Sequence, residues 1–196
     1  MDKNQIVVAI EGIDGAGKTT LINALCQCFE GKVMIYKRTH KGKFIDKIVS
    51  SKMMQNHYML QIPIYLILSY KNYLLFSLKR KKKIVIMDRC FLSYICYFLP
   101  KAVCKNKLLK RLLFFEIKIF PQMIFILDVE PETGRIRDAN RKSLKWLEDT
   151  REAYLNSAKS NLAKWIKITV IQENLSIDEK KKIIINYIKG EMRNGN

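Results

Sequence analysis

Acidic side chains are almost missing from one long stretch of this sequence. Residues 31–115 hold 19 lysines and arginines but only two acids, Asp46 and Asp88, so the stretch carries a net charge of +17. The whole chain of 196 residues carries +18, which leaves the remainder nearly neutral. A basic stretch of this size favours polyanionic partners, namely nucleotides, nucleic acid or an acidic membrane surface.

Cysteine pairs with the spacing of a zinc site are also missing, although the chain has five cysteines. The count is odd, and the tightest pair, Cys26 and Cys28, is one residue too close for a zinc knuckle. A disulfide framework is not expected in a lysine-rich chain of this length. We therefore expect free thiols, a reducing environment and a cytoplasmic location.

A long uncharged apolar run is missing as well. A membrane-spanning helix needs about 20 such residues. The nearest approach, residues 58–78, is interrupted by Gln61, Pro63, Lys71 and Asn72. Because a charge in mid-membrane is costly, we predict a buried or partner-facing helix there and no membrane partner.

What the chain does have is five short apolar runs that alternate with longer helical stretches. This alternation predicts a single α/β domain over residues 1–196, with a five-stranded parallel sheet flanked by helices on both faces. The predicted strands are 6–10, 33–36, 84–87, 123–127 and 168–171. The predicted helices are 19–30, 44–82, 93–120, 131–164 and 178–192.

Glycine is sparse, with eight residues, but three of them fall in one motif between a predicted strand and a predicted helix. The segment from Gly12 to Thr19 fits the phosphate-loop pattern G-x-x-x-x-G-K-[ST], which predicts a P-loop NTPase fold. We expect Lys18 to reach the β and γ phosphates of ATP, and the Thr19 hydroxyl to bind Mg²⁺. The predicted nucleotide-binding residues are Gly12, Asp14, Gly15, Ala16, Gly17, Lys18, Thr19 and Thr20.

The base-reading Asn-Lys-x-Asp motif typical of GTPases is absent, since residues 106–109 read Asn-Lys-Leu-Leu. A motor or transporter ATPase needs a longer chain. The remaining class is phosphoryl transfer to a small molecule.

Three further charged positions are placed at the carboxyl edge of the sheet by the strand pattern. Asp88 and Arg89 follow the third strand, where Asp88 can hold Mg²⁺ or orient the attacking oxygen and Arg89 can clamp a phosphate. Arg38 follows the second strand and can face the donor across the cleft. A surface ion pair, or a solvated loop arginine at Arg38, is the alternative.

Arginines also cluster after the fourth strand, at Arg135, Arg137 and Arg141. They can form a mobile lid, at about residues 134–147, that brings positive charge onto the transferring phosphoryl group. A solvated helix face is the alternative. We interpret Lys79–Lys83 as a solvent-exposed helix end, with a nucleic-acid or nuclear-import signal as the alternative.

Four segments, in order along nearly the whole chain, resemble motifs of the thymidylate kinase family. They are Glu11–Thr20, Asp88–Ser93, Leu127–Glu132 and Thr150–Leu155. The resemblance implies a P-loop kinase fold, a homodimer packed through helices, and ATP with Mg²⁺ as donor. It also implies that Asp14 contacts the acceptor sugar, that Arg38 and Arg89 hold the acceptor phosphate, and that the lid arginines supply catalytic charge in place of an arginine at Ala16.

The chain departs from the family at the positions that read the base. Leu68 and Asn72 stand where the family has a stacking Phe and an Arg. Cys90 replaces a tyrosine and Phe98 a glutamine, while Tyr70, Tyr94 and Tyr97 can offer another stacking surface. The predicted acceptor site is therefore Asp14, Arg38, Leu68, Asn72, Arg89, Ser93, Tyr94 and Tyr97.

The leading hypothesis is a nucleoside monophosphate kinase that converts dTMP to dTDP. The first alternative is a diverged relative that phosphorylates another nucleotide or small molecule. The second is a nucleotide-regulated nucleic-acid-binding module, disfavoured because no element interleaves aromatic and basic residues.

Overall fold

The computed structural model describes residues 5–29, 31–37, 84–90, 92–93, 96, 121–159 and 166–194. Contacts within the chain define two compact units, Met1–Tyr36 with Lys82–Asn196, and Lys37–Lys81. Of the second unit only Lys37 is described. The single domain over 1–196 stays a prediction.

The described strands agree with the apolar runs to within a residue at each end. They are β1 (Ile6–Glu11), β2 (Val33–Lys37), β3 (Ile84–Asp88), β4 (Met123–Leu127) and β5 (Lys167–Ile171). They form one sheet in the order β2-β3-β1-β4-β5. The pairs β1–β3, β1–β4 and β4–β5 are parallel, which confirms the predicted parallel sheet.

The described helices, numbered in chain order, are α1 (Lys18–Cys28), α2 (Pro131–Arg137), α3 (Leu144–Lys159) and α4 (Ile177–Asn194). The predicted helix over 131–164 is wrong as a single element, because a turn at 138–143 divides it. Ala139 and Asn140 adopt positive φ values of 53° and 59° there, which a continuing helix does not allow. The predicted helices 44–82 and 93–120 lie largely outside the described residues.

Both faces of the sheet are covered. Every residue of β1 and β4 is buried, as expected of a parallel sheet between two helical layers. Phe125 pairs with Ile10 in register and contacts the ring of Tyr187 on α4, 5.9 Å away between centroids. Glu11, the next residue on β1, points to the opposite face, where Tyr154 of α3 reaches it. Helices α3 and α4 therefore lie on opposite faces.

A capping box starts the last helix. The backbone N–H of Glu179 donates to Ser176 Oγ at 3.3 Å, and the N–H of Ser176 donates to Glu179 Oε2 at 2.8 Å. These reciprocal bonds satisfy two donors that a helix start leaves open. No helix among the described residues is long and apolar enough to cross a membrane.

Candidate active site

The phosphate motif forms a tight loop at the carboxyl end of β1, the central strand of the sheet. Gly12, Gly15 and Gly17 have φ values of 138°, 79° and 82°. Gly17 is the residue before the first turn of α1. The first N–H groups of a helix lack partners within the helix and carry its positive dipole end, so the start of α1 is suited to an anion.

Lys18 is buried inside this loop. Its Nζ atom donates to the carbonyl oxygens of Gly12 at 3.0 Å and Ile13 at 2.6 Å. Burial, followed by the nearby guanidinium of Arg89, lowers the pKa of Lys18 to about 8, while the carboxylates of Asp14, Glu11 and Asp88 oppose that shift. In these two bonds the buried ammonium meets neutral carbonyl oxygens, which do not compensate its charge. A bound phosphate would compensate it, so the site suits an anionic ligand.

Arg89 lies beside the same loop, immediately after β3. Its Nη1 atom donates to Gly12 O at 3.3 Å, and its Nη2 atom forms an ion pair with the Asp14 carboxylate. About a quarter of each side chain of this pair is exposed. The structure therefore brings together Gly12, Asp14, Lys18 and Arg89, as the sequence predicts.

Asp88 ends β3 and pairs in register with Ile10 of β1, so its carboxyl group is at the edge of the sheet that carries the loop. It is partly exposed, and Thr19 at the start of α1 is exposed. Mg²⁺ prefers one or two protein oxygens together with water and phosphate, so a hydroxyl and a single carboxylate fit it. In the described ranges no group of three or more His, Cys, Asp or Glu side chains forms a metal cluster.

Helix α2 packs directly on the phosphate loop through two glycines. A Cβ atom added to Gly134 would lie 2.8 Å from the carbonyl oxygen of Asp14 and 2.9 Å from Ile13 Cδ1. A Cβ atom added to Gly15 would in turn lie 2.8 Å from Gly134 Cα. Contacts this short exclude any side chain at either position, so the backbones of the loop and of α2 touch.

The three predicted lid arginines are all exposed, and they are not equivalent. Arg135 and Arg137 are in α2, whereas Arg141 is in the turn 138–143. Arg137 forms an ion pair with Glu173, which follows β5, at 3.4 Å. The prediction of a mobile lid over 134–147 stays a prediction, but its first residues are in a helix seated on the phosphate loop.

A second charged cluster, formed by Arg151, Asp128 and Glu130, was not predicted from the sequence. Arg151 of α3 donates to both carboxylate oxygens of Asp128, at 2.6 and 3.2 Å, and to Glu130 at 2.7 Å. The hydrogen bonds to Asp128, and then those to Glu130, raise the pKa of Arg151 above its already high value. These bonds tie α3 to the segment between β4 and α2.

A buried carboxylate, Glu11, was also missed. It ends the apolar strand β1, where the sequence shows it only as an interruption, and it is fully buried. Its carboxylate accepts hydrogen bonds from Cys90, Ser93 and Tyr154. These partners are 79 to 143 residues away along the chain, so no local pattern signals them.

The remaining predicted site residues fall partly inside and partly outside the described residues. Ser93 is buried, with its hydroxyl donating to Glu11, and its contact with an acceptor stays a prediction. Ala16 is buried in the loop, while Thr20 on α1 is exposed. Arg38, Leu68, Asn72, Tyr94 and Tyr97, together with Lys79–Lys83, lie outside the described residues.

Comparison with known proteins extends the likeness over most of the chain. The family model described as Thymidylate kinase matches residues 10–184. A "Probable thymidylate kinase" of Sulfolobus acidocaldarius is 28% identical over 185 residues, covering 88% of this chain and 91% of that protein. A "Probable thymidylate kinase 1" of Saccharolobus solfataricus is 31% identical and covers 79% of this chain and 84% of its own length.

Solved structures share the fold at lower identity. The thymidylate kinase of Ehrlichia chaffeensis superposes with a TM-score of 0.66 at 19% identity, covering 94% of this chain and 99% of that one. The deoxyadenosine kinase of M. mycoides with bound dATP gives 0.65 at 16% identity, covering 94% of this chain and 100% of the other. The parallel sheet, the phosphate loop and these matches confirm the predicted P-loop NTPase α/β fold.

Proposed function

This chain belongs to the thymidylate kinase family, and from that premise we propose that it transfers the γ-phosphoryl group of ATP to dTMP, giving dTDP. The observation that carries the proposal is the cation pair at the phosphate loop. Lys18 and Arg89 both donate to the carbonyl oxygen of Gly12. They therefore converge on one point at the edge of the sheet, where a donor and an acceptor phosphate can meet.

In this proposal Lys18 stabilises charge on the donor phosphates and Arg89 stabilises charge on the acceptor phosphate. Phosphoryl transfer develops charge on the equatorial oxygens of the moving group, and catalysis rests on positioning and charge stabilisation. Lys18 exchanges its carbonyl partners for oxygens of the donor phosphates. Arg89, whose Asp14 partner is partly exposed, turns part of its guanidinium to the acceptor phosphate. The protein forms no covalent intermediate.

Four further sets of residues complete the proposed site. Thr19 and Asp88 would hold Mg²⁺, which when bound neutralises charge shared between the phosphates. Asp14 contacts the acceptor sugar, and Arg38 joins Arg89 on its phosphate. Arg135, Arg137 and Arg141 would add positive charge from the lid. The predicted acceptor-binding roles of Leu68, Asn72, Ser93, Tyr94 and Tyr97 remain part of the proposal.

The cellular location and the oligomeric state of the protein are also proposals. Cys26, Cys28 and Cys96 are free thiols, which supports a cytoplasmic location. The family likeness supports a homodimer. Sedimentation equilibrium should then give a mass of twice 23.0 kDa at micromolar concentration, and a monomer mass would contradict it.

The activity is tested by ADP release in a coupled assay over a panel of nucleoside monophosphates. We expect dTMP to give the highest kcat/KM, with dUMP, dCMP, dAMP and AMP each slower. A preference for another monophosphate would transfer the proposal to that substrate, and no turnover with any of them would refute it.

Binding to duplex DNA at about 0.15 M salt is expected to be absent, since exposed charges are screened there.

The affinity of the free protein for ADP is expected to fall as the pH rises through about 8. Below that pH Lys18 is an ammonium ion, and above it the amine is increasingly neutral. Because bound phosphate favours the charged form, binding takes up a proton there, and the association constant falls by up to about tenfold for each pH unit.

Calorimetric titrations from pH 7.5 to 9.5 measure this decline. Lys32→Met serves as the matched control, because Lys32 is an exposed lysine between α1 and β2. The control should decline with pH as the wild type does. An affinity that stays constant up to pH 9.5 would contradict the assignment.

A further inference from the structure

Glu11 is an acid where the strand otherwise has only apolar side chains. It is fully buried, and its Oε1 atom accepts hydrogen bonds from the backbone N–H groups of Cys90 at 2.6 Å and Ser93 at 3.3 Å. Its Oε2 atom accepts bonds from Tyr154 Oη at 2.9 Å and from Ser93 Oγ. Because one carboxylate gathers donors from the segment after β3 and from α3, it fixes the path of the backbone that follows Arg89.

Arg89 has an unusual backbone at this point. Its φ angle is 71°, in the left-handed region that non-glycine residues avoid. Such a conformation persists only where the surroundings impose it. The residue on its N-terminal side is held in β3, and the residue on its C-terminal side donates its N–H to Glu11. The strained residue is thus fixed from both sides.

The strained backbone has a consequence for the side chain. Arg89 reaches Gly12 O, the Asp14 carboxylate and, at 3.5 Å, Ser93 Oγ. Ser93 is itself bonded to Glu11 and Tyr154, so one hydroxyl joins the buried carboxylate to the guanidinium. Nearby, burial and then the charge of Glu11 raise the pKa of Cys96 well above its usual value, so its thiol stays protonated.

We propose that Glu11 is a positioning residue of the kinase reaction: it holds Arg89 in its strained backbone conformation and so aims the guanidinium at the acceptor phosphate. This inference rests on the proposed function for the identity of the acceptor. Glu11 does not touch substrate in this role. It acts through Cys90, Ser93 and Arg89.

Two substitutions distinguish the hydrogen bonds made by Glu11 from its negative charge. Glu11→Gln keeps the shape and an oxygen that can accept from Cys90 N and Ser93 N, and its amide can donate to the two hydroxyls. Glu11→Leu keeps most of the volume but accepts nothing. We expect Glu11→Leu to raise the KM for dTMP about tenfold or more and to lower kcat. The reason is that a misplaced Arg89 loses its charge-assisted contact with the acceptor phosphate.

The other kinetic constants make the test specific. The KM for ATP, measured below about pH 7 where Lys18 stays charged, should stay within about threefold in Glu11→Leu, because the hydrogen bonds of Lys18 do not include the Glu11 side chain. Glu11→Gln should restore the KM for dTMP to within about threefold of the wild type. Ile188→Ala is the stability control, since Ile188 is buried on α4 at the opposite face, and its KM for dTMP should not change.

A second measurement does not require Glu11→Leu to fold. At φ 71° an alanine is strained and a glycine is not. Arg89→Gly should therefore have an unfolding equilibrium constant about threefold smaller than Arg89→Ala in the wild-type background, because the strain outweighs the extra chain entropy of glycine. Where Glu11→Leu folds, the ratio of the Arg89→Ala to the Arg89→Gly unfolding constant should fall to one or below, because the turn is then free to relax. The extra chain entropy of glycine is the same in both backgrounds and cancels.

The outcomes distinguish this proposal from the proposed function. If the wild type has no activity on any monophosphate, the proposed function fails, while the stability ratio still tests whether Glu11 imposes the strain. If the wild type is active but Glu11→Leu changes the KM for dTMP no more than Ile188→Ala does, positioning is refuted. It is also refuted if Arg89→Ala is more stable than Arg89→Gly in the wild-type background, as at an unstrained position where only the extra chain entropy of glycine counts.

Discussion

Lys18→Met is expected to lower kcat for phosphoryl transfer about 10³-fold and to leave the protein folded. The loss follows from the removal of the buried cation that stabilises charge on the phosphates, and loss of a single such group costs about 10²–10³ in other enzymes. Single-turnover measurement at saturating ATP and dTMP gives the effect on the chemical step. A kcat within tenfold of the wild type would contradict the role of Lys18.

The stability of Lys18→Met, unlike its activity, is not expected to fall. The lowered pKa of Lys18 means that the folded protein bears a cost for the buried ammonium at neutral pH. Methionine removes that cost but leaves the carbonyls of Gly12 and Ile13 without the ammonium donor. We expect the removed cost of the buried ammonium to be at least as large as the loss of these two hydrogen bonds, so the midpoint of urea unfolding should equal that of the wild type or rise. The exposed Lys32→Met variant should match the wild type in both assays.

The strands and the loop could be predicted from the sequence because their signals are local. Apolar runs of four or five residues locate the five strands, and the spacing of Gly12, Gly17 and Lys18 specifies a phosphate loop. Asp88 and Arg89 follow from the same logic, since the carboxyl ends of parallel strands share one edge of the sheet.

The division of the helical stretch after β4 could not be predicted, because the signal is weak. Left-handed positions are usually marked by glycine, and here Ala139 and Asn140 occupy them. The N–H of Asn140 bonds to Arg135 O and that of Ala139 to Ile136 O, which closes the end of α2. The turn is therefore stabilised by hydrogen bonds within the backbone rather than by residue type.

The buried and charged clusters were missed for a different reason: their members are distant in sequence. Glu11 meets Tyr154, and Arg151 meets Asp128, only after α3 has packed on the sheet. No periodicity encodes such pairs. The one available signal was Glu11, a single acid at the end of an apolar strand, because a buried carboxylate needs several hydrogen-bond donors.

The close packing of α2 on the phosphate loop gives the second large expected effect. Gly15→Ala should destabilise the fold by more than about 4 kcal/mol, a value that marks an exceptional substitution. Its Cβ atom would meet the backbone of Gly134, including the Cα atom at 2.8 Å, and backbone atoms cannot rotate away. Either the loop or α2 must shift. Because α2 carries Arg135 and Arg137, we expect kcat to fall more than 100-fold as well.

Gly17→Ala is the matched control for this effect, because it separates backbone strain from the steric clash. Gly17 has a φ of 82°, close to the 79° of Gly15, but a Cβ atom there would meet nothing within 4 Å. The control should therefore cost only the strain of a left-handed alanine, about 1–2 kcal/mol. Urea unfolding of both variants at 25 °C measures the difference. Equal losses in the two variants would mean that α2 does not rest on Gly15, and the seating of the arginine-bearing helix on the loop would be wrong.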